Sequence, residues 1–442
     1  MLSRTTLQSR PSSRKLLARV LETPQLPKQI QALPGPLLGK LIGHVGLEDA
    51  GELVALATTE QLAEIFDQEL WHSDRPGQDE RFDSERFLLW LEIMHEAGDR
   101  FVAERLAELP QELVSLAFHR HLLVLTEDAL RAELSGDDDE AEAAEKAFET
   151  CQWEELDEYQ LIWRGGDGFD AAIGALVALD RDHHGTAVAI LERCAALSRE
   201  HLDDNGGLYE VLSSEDMLEA DLGAERETRR AERGFVAPSA AAAFLRLAGL
   251  QGAGAPAPSE RDPLTRAYFR ELSRTPVPPS KPTASQTERS DLNRLLEISG
   301  VTGDAPPPAL LSGAGQGREV PLVIQALREL AEASPAVFAE RSEELAYLSN
   351  VLAAGCSVDG RRLRPLEAVE HVLATVGLGL WLVGGDQAGS EAVAANELQR
   401  QPADVLFRLA FQAGANAKLR LKPKSAAKAL GQVRTLLKTM KV

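Results

Sequence analysis

Apolar residues recur at spacings of three and four through most of this 442-residue chain, and no other feature limits its fold as strongly. In "GELVALATTEQLAEIF", Leu53, Val54 and Ala57 are followed by Leu62 and Ile65. This is the repeat of an amphipathic α-helix that packs one face on a core. Alanine and leucine dominate and aromatic residues make up only 5%, which favours helices over sheets. With no convincing strand pattern, we predict an all-α fold.

Polar residues predict where two of these helices begin. Thr58 or Thr59, with Gln61 behind it, resembles a polar cap between two short helices. Asp83 or Ser84 is the second predicted cap. The segments "ELVALATTEQLAEIF" and "ERLAELPQELVSLAF" are similar, which suggests a degenerate helical repeat or superhelical packing of helices.

The length of the chain favours more than one folded region, because single cores stop growing at roughly 300 residues. The best boundary is the stretch 251–310, which holds ten of the 23 prolines. An acidic stretch at 135–149 is predicted to be an exposed loop. We predict a basic lead and connector at 1–40, a helical domain at 41–250, a linker with a short helix at 251–317, a helical domain at 318–412 and a basic tail at 413–442.

The distribution of charge limits the partners. The net charge is −22, but residues 1–40 carry a net +6 and residues 417–442 a net +8, which leaves −36 on the residues between. A body this acidic repels nucleic acid and anionic lipid. Contact with nucleic acid would therefore have to use the basic C-terminal tail.

Cysteine usage and hydropathy favour a cytoplasmic location. Cys151, Cys194 and Cys356 are far apart and odd in number, which indicates a reducing compartment and neither a disulfide framework nor a zinc ribbon. The longest apolar run, "VLATVGLGLWLVGG" at 372–385, is interrupted by glycines and shorter than the ~20 residues of a membrane-spanning helix. The Arg- and Ser-rich start lacks the apolar region of a secretory signal.

The motif "DRDHHG" at 180–185 invites a metal interpretation that its ligands do not support. A calcium loop starting at Asp180 would need an oxygen ligand at His184 and a glutamate at Leu191. His183 or His184 with Cys194 and His201 lacks the paired spacing of a zinc site. We interpret the motif as a polar loop between two helices, and we expect no metal and no cofactor.

Two further motifs carry little chemistry. His119 and His121 in "HRH" would point about 200° apart on a helix, so they could not hold one ligand together. "GGDGFD" at 165–170 is similar to a signature of diguanylate cyclases, but that signature lies on a hairpin between strands and has glutamate where this chain has glycine. Helical segments are expected on both sides here, so we interpret it as a glycine-rich turn.

The segment from Cys356 to Arg364 raises the best chemical question. The nearest histidine to Cys356, His371, falls opposite the apolar face of its helix, so it is expected to face solvent. A cysteine that packs at a helix end is therefore favoured over a nucleophile. Three arginines, Arg361, Arg362 and Arg364, precede the helix that starts at Pro365. Because cations at a helix N-terminus oppose its dipole, a bound anion, an acidic partner or an internal acid should accompany them.

Three segments resemble an uncharacterised bacterial family, known only as a domain of unknown function. They are "GLEDAGELVALATTEQLAEIFDQELW", "GAERETRRAERGF" at 223–235 and "ELAYLSNVLAAGCSVDGRRLRPLEAVEHVLATVGLGL" at 344–380. The family implies no catalytic or ligand residues. The first segment is also loosely similar to helical repeats in the cytoplasmic N-terminal domain of magnesium transporters, which bears on fold alone.

Three functions follow as hypotheses. The leading one is a non-enzymatic scaffold or adaptor that binds an unknown protein partner and has no catalytic residues. The second is an enzyme or an anion-binding protein centred on the turn between Cys356 and Arg364. The third is nucleic-acid contact through the basic C-terminal tail.

Overall fold

The protein is described by a computed structural model that covers residues 13–126, 151–203, 213–249, 265, 292–293, 295–296, 322–358, 361–384 and 390–419. Helices dominate this part of the chain, which confirms that the fold is mostly α-helical. The predicted acidic loop at 135–149, most of the predicted linker and most of the predicted basic tail lie outside the described residues. The predicted repeat stays a prediction.

The chain divides into two units, each discontinuous in sequence. The first unit comprises residues 1–72, 80–226 and 281–304, and the second comprises 73–79, 227–280 and 305–442. The division falls after Arg226, inside a helix, whereas the proline-rich stretch suggested a boundary after residue 250. Each unit has its own hydrophobic core.

Ten helices and five strands carry the described part of the first unit. The helices are α1 (Ser13–Leu21), α2 (Leu26–Gln31), α3 (Gly35–Val45), α4 (Gly51–Val54), α5 (Thr59–Glu69), α6 (Ser84–Glu96), α7 (Asp99–Glu108), α8 (Gln111–His121), α9 (Phe169–Asp203) and α10 (Ser214–Glu232), of which α10 ends in the second unit. The strands are β1 (Trp71–His72), β2 (Arg81–Phe82), β3 (Leu122–Thr126), β4 (Trp153–Leu156) and β5 (Tyr159–Trp163).

The predicted connector within residues 1–40 is helical. Helix α2 lies wholly within this predicted connector, and α3 begins before residue 40. Pro27 and Pro36 each lie at the start of a helix. The first N–H groups of a helix have no intrahelical acceptor, so a proline there removes no hydrogen bond. The prolines therefore mark helix starts in this stretch.

The predicted helix caps are confirmed. Thr58 caps α5 in a capping box, in which its hydroxyl accepts from the Gln61 N–H and the Gln61 side chain accepts from the Thr58 N–H. The Gln61 amide also donates to the carbonyl groups of Ile30 and Leu33, both at 2.7 Å. Asp83 caps α6 by accepting from a backbone N–H in its first turn.

A three-stranded antiparallel sheet, with β5 between β3 and β4, was not expected from the sequence. "LLVLT" continues the apolar run of α8, so it resembles the end of a helix. "WEEL" has no β-branched residue, and its strand is an edge of the sheet. Pairing with β5 supplies the backbone hydrogen bonds that local preference does not favour.

The core of the first unit centres on edge-to-face aromatic rings. The Phe66 ring centroid lies 5.3 Å from Trp90 and 6.1 Å from Phe87, and Phe87 lies 6.3 Å from Phe118. All four side chains are buried. The rings come from α5, α6 and α8, so the aromatic contacts join these three helices.

The second unit contains six further helices and one hairpin in its described part. The helices are α11 (Pro238–Gly249), α12 (Leu322–Ala333), α13 (Pro335–Gly355), α14 (Pro365–Gly384), α15 (Glu391–Arg400) and α16 (Ala403–Leu419), and the strands are β6 (Ser357–Val358) and β7 (Arg361–Arg362). Helix α16 continues past residue 412, where the basic tail was predicted to begin.

Helix α14 is central to the second unit and packs against α12, α13, α15 and α16. By length and composition it could also cross a membrane, although its glycines argued against this in the sequence. One of these glycines, Gly379, allows α14 and α16 to cross at a short distance. A Cβ atom on Gly379 would lie 2.7 Å from the carbonyl carbon of Leu406 in α16 and 3.0 Å from its Cα.

A buried ionic network joins α13 to the junction of α15 and α16. The Arg341 Nε donates to the Leu398 carbonyl at 2.8 Å, and its Nη1 donates to Glu344 Oε1 at 2.8 Å. Glu344 Oε2 accepts from the Ala403 N–H at 2.7 Å. The side chains of Arg341 and Glu344 are 6% and 1% exposed. Buried charges persist only when they are paired in this way.

Candidate functional site

The structure places the three predicted arginines on and just after the β6–β7 hairpin. The exposed Arg362 donates from Nη2 to Ser73 Oγ at 2.6 Å. The backbone N–H of Arg364 donates to Glu367 Oε2 at 2.9 Å, in the first turn of α14. Arg361 lies in β7. Glu367 thus supplies a negative group at this helix start, and the anion or partner contact of the three arginines stays a prediction.

Cys356 lies at the C-terminal cap of α13, half-buried against the core of the second unit. Burial raises the pKa of its thiol. His371 is exposed on α14. A raised pKa lowers the fraction of thiolate, so Cys356 lacks the electrostatic setting of a nucleophile.

We expect Cys356 to react slowly with a thiol reagent in the native chain, at least about tenfold more slowly than after unfolding. Mass spectrometry of intact protein labelled at pH 8 would give the rate, and Cys356→Ser identifies its signal. Cys194 provides an internal reference, because complete burial raises its pKa to about 12. Native labelling of Cys356 that is faster than labelling of the unfolded chain would revive the nucleophile hypothesis.

The strongest candidate site lies in the first unit, at a glycine-rich loop between β5 and α9. Gly165, Gly166 and Gly168 have φ angles of 114°, 89° and 94°. Residues other than glycine rarely adopt such positive φ angles. The motif "GGDGFD" is therefore a turn, as predicted, but a strand precedes it where a helical segment was expected.

Hydrogen bonds fix the loop at several points. The Trp163 Nε1 donates to the Gly166 carbonyl at 3.0 Å. The Arg164 N–H donates to the His121 carbonyl at 2.8 Å. His95 Nε2 lies 3.0 Å from the Ala171 carbonyl oxygen, in the first turn of α9. The loop is thus held by β5 and by the end of α8, and the helical turn that follows it is held by α6.

The loop borders an open cleft of about 520 Å³. Three carboxylates line it: Glu92 on α6, Asp167 in the loop and Asp170 in the first turn of α9. Phe169 contributes an aromatic wall, and its ring lies edge-to-face with Trp163 at 5.7 Å. No lysine or arginine is among the described residues that line the cleft. Its charge therefore favours a cation.

The two histidines of "HRH" have different partners, as their spacing predicts. His119 is buried, with Nε2 3.5 Å from Glu215 Oε2. This contact and Arg120 hold the pKa of Glu215 at about 2. His121 stacks on Trp163 at 5.4 Å, and burial lowers its pKa. Both histidines stabilise packing, and His121 supports the tryptophan that holds the glycine-rich loop.

The motif "DRDHHG" lies within α9, which bends at His183 (φ −143°, ψ 51°). The motif thus separates two helical segments, as predicted, but the break is a kink at one non-helical residue and not a polar loop. His184 Nδ1 lies 2.6 Å from Asp180 Oδ1 and 3.9 Å from Asp157 Oδ2. These three groups are close enough to share an ion, but an ordinary ion pair accounts for their contact.

Sequence reasoning missed the cleft because its walls come from separate segments. The available signal was "YQLIW", which is rich in aromatic and apolar residues and is separated from the glycines by Arg164 alone. The order of a strand, a glycine-rich loop and a helix is typical of a binding loop in which backbone groups line the site.

Comparison with known protein families supports the resemblance to an uncharacterised family. Residues 3–204 match the family of unknown function DUF6178. The resemblance to an uncharacterised family is thus confirmed over this part of the chain. The DUF6178 match includes the glycine-rich loop and the cleft, whereas the segments at 223–235 and 344–380 lie beyond it. The likeness to magnesium transporters is unsupported. No curated protein and no solved structure matches the chain.

Proposed function

We propose that the protein is a non-enzymatic cytoplasmic adaptor, and that its first unit binds a basic segment of a partner protein in the cleft beside the glycine-rich loop. The observation that carries this proposal is the lining of the cleft. Three carboxylates face a cavity of about 520 Å³ with no described lysine or arginine among them.

The shape and chemistry of the cleft suit an arginine or lysine side chain. Carboxylates form charge-assisted hydrogen bonds with guanidinium and ammonium groups. The Phe169 ring offers a face for a cation or for its aliphatic stem. An anion is disfavoured, because Asp167 and Asp170 already supply negative charge at the start of α9.

The residues that line the cleft support a catalytic role less well than they support binding of a basic segment. The described lining contains no serine, cysteine or lysine that could act as a nucleophile. Both ring nitrogens of His95 already lie within hydrogen-bonding distance of Asp99 or Ala171. The alternative site between Cys356 and Arg364 has a thiol whose pKa is raised. The nucleic-acid hypothesis depends on a tail that lies largely outside the described residues.

The test is binding of the peptide acetyl-Gly-Arg-Gly-Arg-Gly-amide to the full-length chain by isothermal titration calorimetry. Replacing both Asp167→Asn and Asp170→Asn should weaken binding about tenfold or more, because it removes two of the three carboxylates. Binding should also weaken with added salt, which screens exposed charges.

The matched control is Glu48→Gln with Asp49→Asn, which removes the same charge from an exposed turn of the first unit. It should leave the affinity unchanged within a factor of about two. Equal weakening in both double variants would show that the loss of affinity comes from the net charge of the chain and not from the cleft. Failure of the wild-type chain to bind the basic peptide would overturn the proposal.

A further inference from the structure

Strand β4 is an edge of the three-stranded sheet, and among the described strands it pairs with β5 alone. Its residues Trp153, Glu154 and Glu155 are exposed. Gln152, which directly precedes the strand, lines the cleft beside the glycine-rich loop. The exposed edge of the sheet therefore begins at the cleft.

The register of β4 shows which of its backbone groups point out of the sheet. The Trp163 N–H donates to the Gln152 carbonyl at 2.8 Å, so these two residues form a hydrogen-bonded pair. Glu155 lies three residues further along the chain, opposite Gln160. Because hydrogen-bonded and non-hydrogen-bonded pairs alternate in an antiparallel ladder, the N–H and C=O groups of Glu155 point away from β5.

The side chains on this edge favour a basic strand. Residues directly opposite each other on neighbouring strands project from the same face, so a cation opposite Glu155 would lie beside its carboxylate. Trp153 projects from that face too, is 45% exposed and offers its ring to a cation. Charged residues on an edge strand also oppose the addition of apolar segments. The edge thus discriminates by charge between the strands that could join it.

We propose that the basic segment bound in the cleft continues along β4 and joins the sheet as a fourth strand. This inference rests on the proposed function, because it takes the same basic segment as its occupant. The main chain of the segment would exchange hydrogen bonds with Glu155, and its alternate side chains would contact Trp153 and Glu155. In this mode of recognition, main-chain hydrogen bonds supply affinity and alternate side chains supply specificity.

The first test is hydrogen exchange at single amides of the full-length chain, with and without acetyl-Arg-Thr-Arg-Thr-Arg-amide. The Glu155 amide should gain about tenfold protection at saturation, because its N–H acquires an acceptor. The Glu154 amide faces β5 and should change by less than a factor of about two. Peptide binding without protection at Glu155 would overturn the strand addition and leave the cleft proposal standing. Failure of this peptide and of acetyl-Gly-Arg-Gly-Arg-Gly-amide to bind would overturn both.

The second test uses two analogues of the same peptide, N-methylated either at the arginines or at the threonines. Both keep the charge of the parent peptide, but each lacks the N–H donors of one edge. Only one edge of an added strand faces β4. One analogue should therefore bind about tenfold more weakly than the parent, and the other should stay within a factor of about two. Equal affinities of the two analogues would overturn the inference.

The third test compares Glu155→Pro with its matched control Glu155→Gln. Both remove the same charge, but only proline removes the outward N–H. Proline is tolerated on an edge strand where the N–H points off the sheet, so the ladder to β5 is retained. Glu155→Pro should bind the parent peptide about tenfold more weakly than Glu155→Gln. Equal affinities in these two variants would contradict the strand addition.

Discussion

Replacing Arg341 by methionine is expected to destabilise the second unit by about 3–5 kcal/mol. Methionine keeps much of the apolar stem but removes the guanidinium group from a buried position. Glu344 then keeps its charge without this partner, and the Leu398 carbonyl loses a donor. Breaking a buried ion pair costs far more than the pair itself contributes, because the remaining charge is still shielded from water.

The measurement is urea unfolding, followed by circular dichroism and by hydrogen exchange in α13 and α16. Adding Glu344→Gln to Arg341→Met should recover about 1–2 kcal/mol, because the amide is uncharged and its oxygen still accepts from the Ala403 N–H. Glu340→Gln is the control, since Glu340 contacts the same arginine but is 65% exposed. It should cost less than about 0.5 kcal/mol. A similar cost for Glu340→Gln and Arg341→Met would refute the argument.

Replacing Gly379 by alanine should destabilise the second unit by about 3 kcal/mol. The added methyl group would overlap the backbone of Leu406, which cannot move as a flexible side chain can. Helices α14 and α16 would have to separate, and the buried residues between them would lose contacts.

The matched variant is Gly377→Ala, two residues away on the same helix. Its Cβ atom would lie 3.5 Å from Val323, an ordinary contact distance. Alanine is a better helix former than glycine, so this variant should be neutral or up to about 1 kcal/mol more stable. Thermal and urea unfolding of both variants would test the contrast. Equal effects at the two positions would show that helix propensity, not the close crossing, governs this helix.

Features set by neighbouring residues were predictable from the sequence. The caps at Thr58 and Asp83 depend on side chains that reach backbone groups within three residues. The apolar spacing of the helices is local in the same sense. Such features need no knowledge of which segments meet in the fold, so one sequence is sufficient to find them.

Features set by distant segments were not predictable. Arg341 and Glu344 resemble a solvent-exposed pair on one helix, and only the approach of the α15–α16 junction buries them. The cleft likewise requires Glu92 on α6 to lie near Asp167 and Asp170, which follow it by more than 70 residues. Strand β4 forms because β5 pairs with it, although "WEEL" has little strand preference.

The discontinuous units have a consequence for synthesis of the chain. The core of the first unit includes Leu292 and Leu296, which leave the ribosome after more than 60 residues of the second unit. The second unit in turn needs residues 73–79, which are made early. Neither unit is complete until most of the polypeptide has been translated, and no single cut separates one unit whole from the residues of the other. Expression of the intact chain is therefore the appropriate starting point for biochemical work.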